Sequence, residues 1–417
     1  RQMCIRDRKK YALFPSVSAA WKISNEKFLK DVFWINLLKL RASYGKTGQD
    51  NLGSSLYGVY EPSGFKVGFN DNGLFYVPCV SMGTNYPDVS WQKTIMKNIG
   101  LDFYLFKNRV SGSIDVFRND VTSLLGYAST SPLAIYPTRP INGGHFYRQG
   151  WEIMLDTKNM VGDFNWNTQL TFSKTNSFWK ERMPNYDYRS YQKRNKEPMN
   201  AYYYYKMTGI INADRSNMPE SQKTLQAEAQ LPGCPIIDDK NNDGKIDEND
   251  IYLKDNTPDI YIGFGNTFTY KNWEFSFFMY GQFGILKSNI AYRAALPGPL
   301  AVDYPENTNK YAYLLWNSQT NPNGTRPGLA VDRMGALPGG AGVNIDMENA
   351  SFVRMRNITL SYNFRDKILG KLKKYVKGIK VYADVQNPFV ISKFKGFDPE
   401  IYTGAVSYTH LTLPTTS

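Results

Sequence analysis

The stretch that most constrains this chain is Ile99–Phe117, IGLDFYLFKNRVSGSIDVF, which reads as strand, tight turn, strand. Ile99, Leu101, Phe103 and Leu105 alternate with Gly100, Asp102, Tyr104 and Phe106. Beyond Lys107-Asn108 the beat resumes with Val110, Gly112, Ile114 and Val116 against Ser111, Ser113 and Asp115. A period of two sends each set to its own face of a sheet. The apolar face is packed on a core in a soluble sandwich; in an outer-membrane barrel it meets lipid while the polar face lines a wet lumen.

The unit recurs. Strands are expected at Phe14–Ile23, Ile35–Lys46, His145–Thr157, Phe164–Ser173, Ala201–Ile211, Ile260–Tyr270, Trp273–Gly281, Ser351–Phe364 and Gly378–Pro388, with a short helix between Arg365 and Lys377. The connections at Lys107-Asn108, Lys158–Gly162 and Lys271-Asn272 are short, and those between them run to tens of residues. Short turns at one end and long loops at the other are the habit of a transmembrane barrel, whereas sandwiches and propellers space their strands more evenly. Trp21, Trp91, Trp151, Tyr270 and Trp273 near strand ends suit interfacial girdles. The two architectures differ over Leu101, Phe103, Trp166 and Phe172, which face lipid in a barrel and form the core in a sandwich.

Composition agrees with dispersed apolar residues. The 417 residues are 15% aromatic, yet the mean hydropathy is negative. No run of about 18 apolar residues occurs, which excludes a spanning helix but not strands of about 9–11 residues. The formal charge of +13 is scattered, with one dense group at Lys367, Lys371, Lys373, Lys374 and Lys377. No nucleic-acid motif accompanies it, so no nucleic-acid partner is expected. Cys4, Cys79 and Cys234 make neither a disulfide scaffold nor a zinc pattern; spacing alone leaves a Cys79–Cys234 bridge open. With His145 and His410 as the only histidines, histidine-based catalysis has little material, and no catalytic set is assigned. Residues 1–8 and 406–417 read as translated adapter sequence, leaving 9–405 as the protein proper.

One loop carries metal-ligand spacing. Asp239, Asn241, Asp243, Gly244, Asp247 and Asp250 fall at positions 1, 3, 5, 6, 9 and 12 of a calcium loop, with the Lys245 carbonyl at position 7. Asp250 stands where the standard loop has a longer, bidentate Glu. The alternative is an Asn/Asp/Gly turn that binds nothing. A bound calcium would stiffen the loop and not catalyse. Tyr202–Tyr205, four aromatics in a row, suit either sugar stacking or a strand crossing the interfacial girdle.

Six segments in order resemble the SusC/RagA family of TonB-linked outer-membrane receptors: FPSVSAAWKIS (14–24), LKLRASYGKTGQ (38–49), NIGLDFYLFKNRVSGSIDVF (98–117), DDKNNDGKIDEND (238–250), ASFVRMRNITLSYNF (350–364) and VYADVQNPFVISKFKGFDPE (381–400). The resemblance implies an all-β chain, the C-terminal part of a plugged antiparallel barrel of about 22 strands. It would hold roughly ten to thirteen of those strands, with the plug, the TonB box and the closing strand outside this sequence. The resemblance further implies import of large nutrients, most often glycan oligosaccharides and less often peptides. The implied partners are a SusD-like surface lipoprotein, the TonB complex through the absent N-terminal part, and outer-membrane lipid. Two other classes stand beside it: a calcium-stabilised soluble or surface β-domain protein that binds glycans, and a calcium-dependent glycoside hydrolase, which would need two carboxylates about 5 to 9.5 Å apart in a cleft.

Overall fold

The computed structural model describes residues 12–49, 59–62, 79–82, 89–129, 138–186, 188–192, 196–289, 292, 310–364, 376, 378–396 and 398–400. Ten strands form one sheet: β1 Ser16–Lys22, β2 Ile35–Gln49, β3 Gln92–Leu105, β4 Val110–Ser129, β5 Thr138–Met160, β6 Phe164–Glu181, β7 Ile260–Tyr270, β8 Trp273–Phe283, β9 Phe352–Phe364 and β10 Ile379–Ser392. They neighbour one another in sequence order, and the registers described within the sheet are all antiparallel. Among the described residues no helix is long and apolar enough to cross a membrane, which says nothing of strands. The chain divides into two compact units, residues 1–152 with 175–199, and 153–174 with 200–417.

In the first unit the register turns the sequence alternation into rows. Trp21, Leu40, Leu101 and Ile114 lie side by side across four strands, followed by Ala19, Ala42, Ile99 and Val116. The opposite face carries Ala20, Arg41, Gly100 and Asp115, then Lys22, Lys39, Asp102 and Ser113. There Arg41 bridges Asp102 at 2.8 Å and Asp115 at 3.0 Å. Gly100 makes room for that cluster, since a Cβ at this position would lie 2.4 Å from Asp115 Oδ1 and 2.7 Å from Arg41 Nη2. The apolar rows end at Tyr44, Lys97 and Arg118 on one side and at the Lys107 turn on the other. From Lys97 to Leu105, where the strand ends, it covers about 26 Å, or about 20 Å along a normal from which it tilts by about 40°, close to the height of a barrel's apolar band.

The second unit repeats the arrangement with aromatics. Trp166, Phe268, Phe275, Leu360 and Ala383 form one row. The Trp166–Phe268 rings stack at 5.8 Å and the Phe268–Phe275 rings at 6.0 Å. Asn266 shares this face and is 4% exposed; its Oδ1 accepts from Trp166 Nε1 and Thr168 Oγ1, both at 2.7 Å, so the amide oxygen is not left bare among apolar neighbours. The other face holds Asn167, Thr267, Ser276, Thr359 and Asp384. At the turn end, Phe164, Tyr270, Trp273 and Tyr362 make a cross-strand aromatic row, exposed at the first three (39%, 46% and 49%).

The hydrophobic core is not under the sheet. None of Leu101, Phe103, Trp166 and Phe172 is buried, and Ile99 and Val116 are 61% and 57% exposed. Most fully buried apolar side chains lie instead in the connections, where Tyr205, Ile211, Cys234, Ile237 and Ile251 are at most 1% exposed; within the sheet Val121, Ala128, Phe352 and Met355 are buried towards the ends of β4 and β9. An apolar face of this extent that the described residues leave exposed is unstable in water and natural in lipid. That decides against the sandwich.

Several boundaries differ from the sequence expectation. β2 continues to Gln49, β6 to Glu181, and β5 begins at Thr138, taking Pro140 into a strand where a loop was expected. The added residues are mostly polar or glycine, and the apolar ones among them, Ile141 and the adjacent Phe178 and Trp179, do not alternate, so no period-two beat marks them. The turn after β3 carries left-handed backbone at Phe106, Lys107 and Asn108 (φ 52, 56 and 61) and is wider than the Lys107-Asn108 pair alone. Trp151 lies in mid-strand, nine residues before the end of β5 at Met160. The helix expected between Arg365 and Lys377 falls, Val376 apart, outside the described residues, as do residues 1–8 and 406–417.

Candidate functional site

The acidic loop belongs to the long connection between β6 and β7, which folds on itself. Strand 201–205 pairs antiparallel with 252–255 and parallel with 342–343, and 207–210 pairs with 235–237. Gln222, fully buried, ties this connection together: its Nε2 donates to the Ala229 and Pro235 carbonyls at 3.0 and 3.2 Å, and its Oε1 accepts from Ile237 N at 3.0 Å. Ile246 and Ile251 anchor the loop's exit in the same core at 4% and 1% exposure. The Tyr205 hydroxyl lies 2.9 Å from the Asp247 carbonyl.

Within the loop the sequence spacing becomes geometry. Asp239 accepts from Asp243 N at 3.3 Å and Gly244 N at 2.9 Å. Asn241 Oδ1 accepts from Asp243 N at 3.2 Å, and Asp243 Oδ1 from Lys245 N at 3.0 Å. The chain reverses through left-handed Asn242 (φ 56) and Gly244 (φ 80), where glycine costs no Cβ strain. Asp247 accepts from Asn249 N at 2.7 Å and caps the turn Glu248–Asp250.

Asp250, at the last position of the spacing, is held by the loop's own backbone. It is completely buried, and its two oxygens accept from Lys240 N at 3.0 Å and Asp247 N at 2.8 Å. One methylene shorter than Glu, it fastens the two arms of the loop to each other. Among the described residues no group of three or more His, Cys, Asp or Glu side chains is gathered as for a metal ion. The turn that would present Asp239, Asn241, Asp243, the Lys245 carbonyl, Asp247 and Asp250 to a hard cation is already formed.

Beside the loop lies a feature the sequence only hinted at. Tyr202–Tyr205 is not a girdle-crossing strand: alternation buries Tyr205 completely, while Tyr202 stacks on Tyr204 at 5.2 Å and Tyr204 on Tyr252 at 5.8 Å. Tyr252 could not be placed with them from sequence, because the pairing of 201–205 with 252–255 brings it in from about fifty residues away. Its hydroxyl donates to Asp238 at 2.7 Å, and Lys206 reaches the same carboxylate at 2.9 Å. Tyr252, then Lys206, hold the Asp238 carboxyl below its usual range. Lys240 sits over the Tyr252 ring at 4.9 Å. Burial pushes the Tyr202 phenol up to about 12. Cys234 is a free thiol, so no Cys79–Cys234 bridge forms; it donates to the Glu228 carbonyl at 3.4 Å, and burial pushes it up to about 11.

No protein-family model matches the chain. It is 29% identical to the TonB-dependent receptor SusC of Bacteroides thetaiotaomicron, over 95% of this chain and 38% of that protein. It is 27% identical to the TonB-dependent receptor P39 of Formosa agariphila, over 93% of this chain and 40% of the relative. The chain thus spans about two fifths of the curated relatives it matches. Among solved structures, the RagAB peptide importer in its closed-closed state superposes with a TM-score of 0.73 at 20% identity, over 94% of this chain and 41% of that one. Over nearly its whole length, therefore, this chain is similar to part of the TonB-dependent receptors SusC and P39, and its large antiparallel sheet has the fold of the matched part of an outer-membrane barrel transporter.

Proposed function

We propose that the complete receptor imports large nutrients across the outer membrane, with glycan oligosaccharides as the substrate class. The TonB complex drives it, a SusD-like surface lipoprotein closes over its outer mouth, and this chain supplies lumen wall and long loops. The observation that carries the reading is the two-faced sheet, apolar and uncovered on one side and lined by Arg41, Asp102 and Asp115 on the other. The Tyr202–Tyr204–Tyr252 stack, interleaved with Lys206, Asp238 and Lys240, favours sugars, whose C–H faces lie on aromatic rings and whose hydroxyls bond to charged neighbours. RagAB is described as a peptide importer, which makes peptides the competing substrate class. No catalytic role is assigned to any residue. Calcium, or a similar hard cation, would be held by Asp239, Asn241, Asp243, Lys245 through its carbonyl and Asp247, with Asp250 fastening the loop, and would stiffen the connection.

The test is expression of the full-length gene with its signal peptide, a heat-modifiability gel on the outer-membrane fraction, and uptake of labelled oligosaccharides with and without the neighbouring lipoprotein. A shifting band and lipoprotein-dependent sugar uptake are expected. A soluble product with no shift would sink the importer reading, and uptake of peptides alone would sink the glycan assignment.

A further inference from the structure

The connection between β8 and β9 borders a half-open cavity of about 360 Å³, lined by residues that include Tyr292, Tyr311, Arg326, Val331, Gly342 and Asp346. That volume falls in the range of small-ligand sites, roughly 300–1,000 Å³. Its walls are held from behind. The Arg326 guanidinium lies 3.6 Å from the Tyr292 ring centroid and bonds the Ile345 carbonyl and, at 3.3 Å, the Glu348 carboxylate. Tyr311 meets Tyr292 edge to face at 4.8 Å, and its hydroxyl donates to the Lys395 carbonyl at 2.8 Å. Ser288 donates to Asp346 at 2.5 Å. Glu348 also accepts from Asn289 Nδ2 at 3.2 Å and Lys395 N at 3.1 Å. Groups fixed in this way need no ordering when a ligand arrives.

The lining is chemically mixed in a particular sense. Val331 and the tyrosine rings offer apolar surface, while among the described lining residues one cation and one anion, Arg326 and Asp346, balance each other. A purely apolar ligand would strip water from Asp346 and give it no donor in return. A ligand with an apolar face and a rim of hydroxyls satisfies both. Resting on the glycan reading above, we propose that this cavity is a carbohydrate subsite for a pyranose unit of a neutral oligosaccharide. The ring's C–H face lies on the apolar wall and its hydroxyls donate to Asp346.

Gly342 allows a direct test, because a Cβ there meets nothing within 4 Å, so Gly342→Leu fills the cavity without a backbone clash. Gly162, equally open but in the β5–β6 turn, provides the control Gly162→Leu. The full-length receptor in detergent is screened on an array of neutral oligosaccharides, and the sugar bound is titrated calorimetrically, with a tryptic casein digest as the peptide probe. The expected result is sugar binding weakened at least tenfold by Gly342→Leu and unchanged by Gly162→Leu. If Gly342→Leu fails to yield a heat-modifiable barrel, Asp346→Asn decides: a loss of at least fivefold supports the subsite and unchanged binding overturns it. Sugar binding indifferent to Gly342→Leu overturns the subsite and leaves the glycan reading standing. Binding of the casein digest alone, or of neither probe, overturns both.

Discussion

Consider Leu40→Ala and Leu40→Arg in the full-length receptor refolded into lipid vesicles. Leu40 sits in the middle row of the apolar face, between Trp21 and Leu101, and is 37% exposed. In a covered core, Leu→Ala costs about 2.7–5 kcal/mol, much of it from the cavity left behind. On a lipid face, acyl chains follow the shortened side chain and no cavity persists, so only part of the contact with Trp21 and Leu101 is lost, about 1 kcal/mol. Arginine at the same place must hold its charge near the bilayer midplane and costs about 2–4 kcal/mol. The lipid reading therefore expects a small alanine effect and a large arginine effect. A covered soluble sheet expects both to be large, and a face in water expects both to be near zero. Urea unfolding followed by tryptophan fluorescence and by the heat-modifiability gel measures the pair. An alanine cost above about 2.5 kcal/mol, or an arginine cost near zero, would refute the assignment of this face to lipid.

Gln222→Leu keeps the volume but strips Ile237 N–H and the Ala229 and Pro235 carbonyls of their partner; a loss of about 2–4 kcal/mol in the local stability of the 200–255 connection is expected, read as faster limited proteolysis with the barrel intact. Cys234, with its thiol pushed up to about 11, stays protonated at neutral pH; it should resist maleimide in the folded receptor at pH 7 and label promptly in urea. Asp238 is depressed below the usual carboxylate value by Tyr252 and Lys206. Its contribution is present above the unfolded value near 4 and fades as pH falls through the folded one, so a hydrogen-exchange series should show the 238–252 segment loosening only below about pH 4. If calcium occupies the loop, chelation should raise protease cleavage at 239–247 and Asp239→Ala should abolish the difference; identical cleavage with and without chelator in the wild type would argue for a metal-free turn.

The period of two in Ile99–Phe117 determines that both faces exist and which residues share each one. The cross-strand rows of Trp21, Leu40, Leu101 and Ile114 follow from that alternation once the strands pair. The calcium-like spacing of Asp239–Asp250 likewise determines a tight turn, because Gly244 and Asn242 admit the backbone it needs. Sequence could not determine whether the apolar face meets a core or lipid, because alternation is the same in both. Only the burial of Tyr205, Ile237 and Ile251 away from the sheet separates them. It could not find Tyr252 beside Tyr202 and Tyr204, nor Asp346 across a cavity shared with Tyr292, since both depend on segments brought together by pairing and not by spacing. The backbone partners of Asp250 were hidden for the same reason: spacing puts a carboxylate at position 12, and only the folded loop places Lys240 N and Asp247 N at its two oxygens.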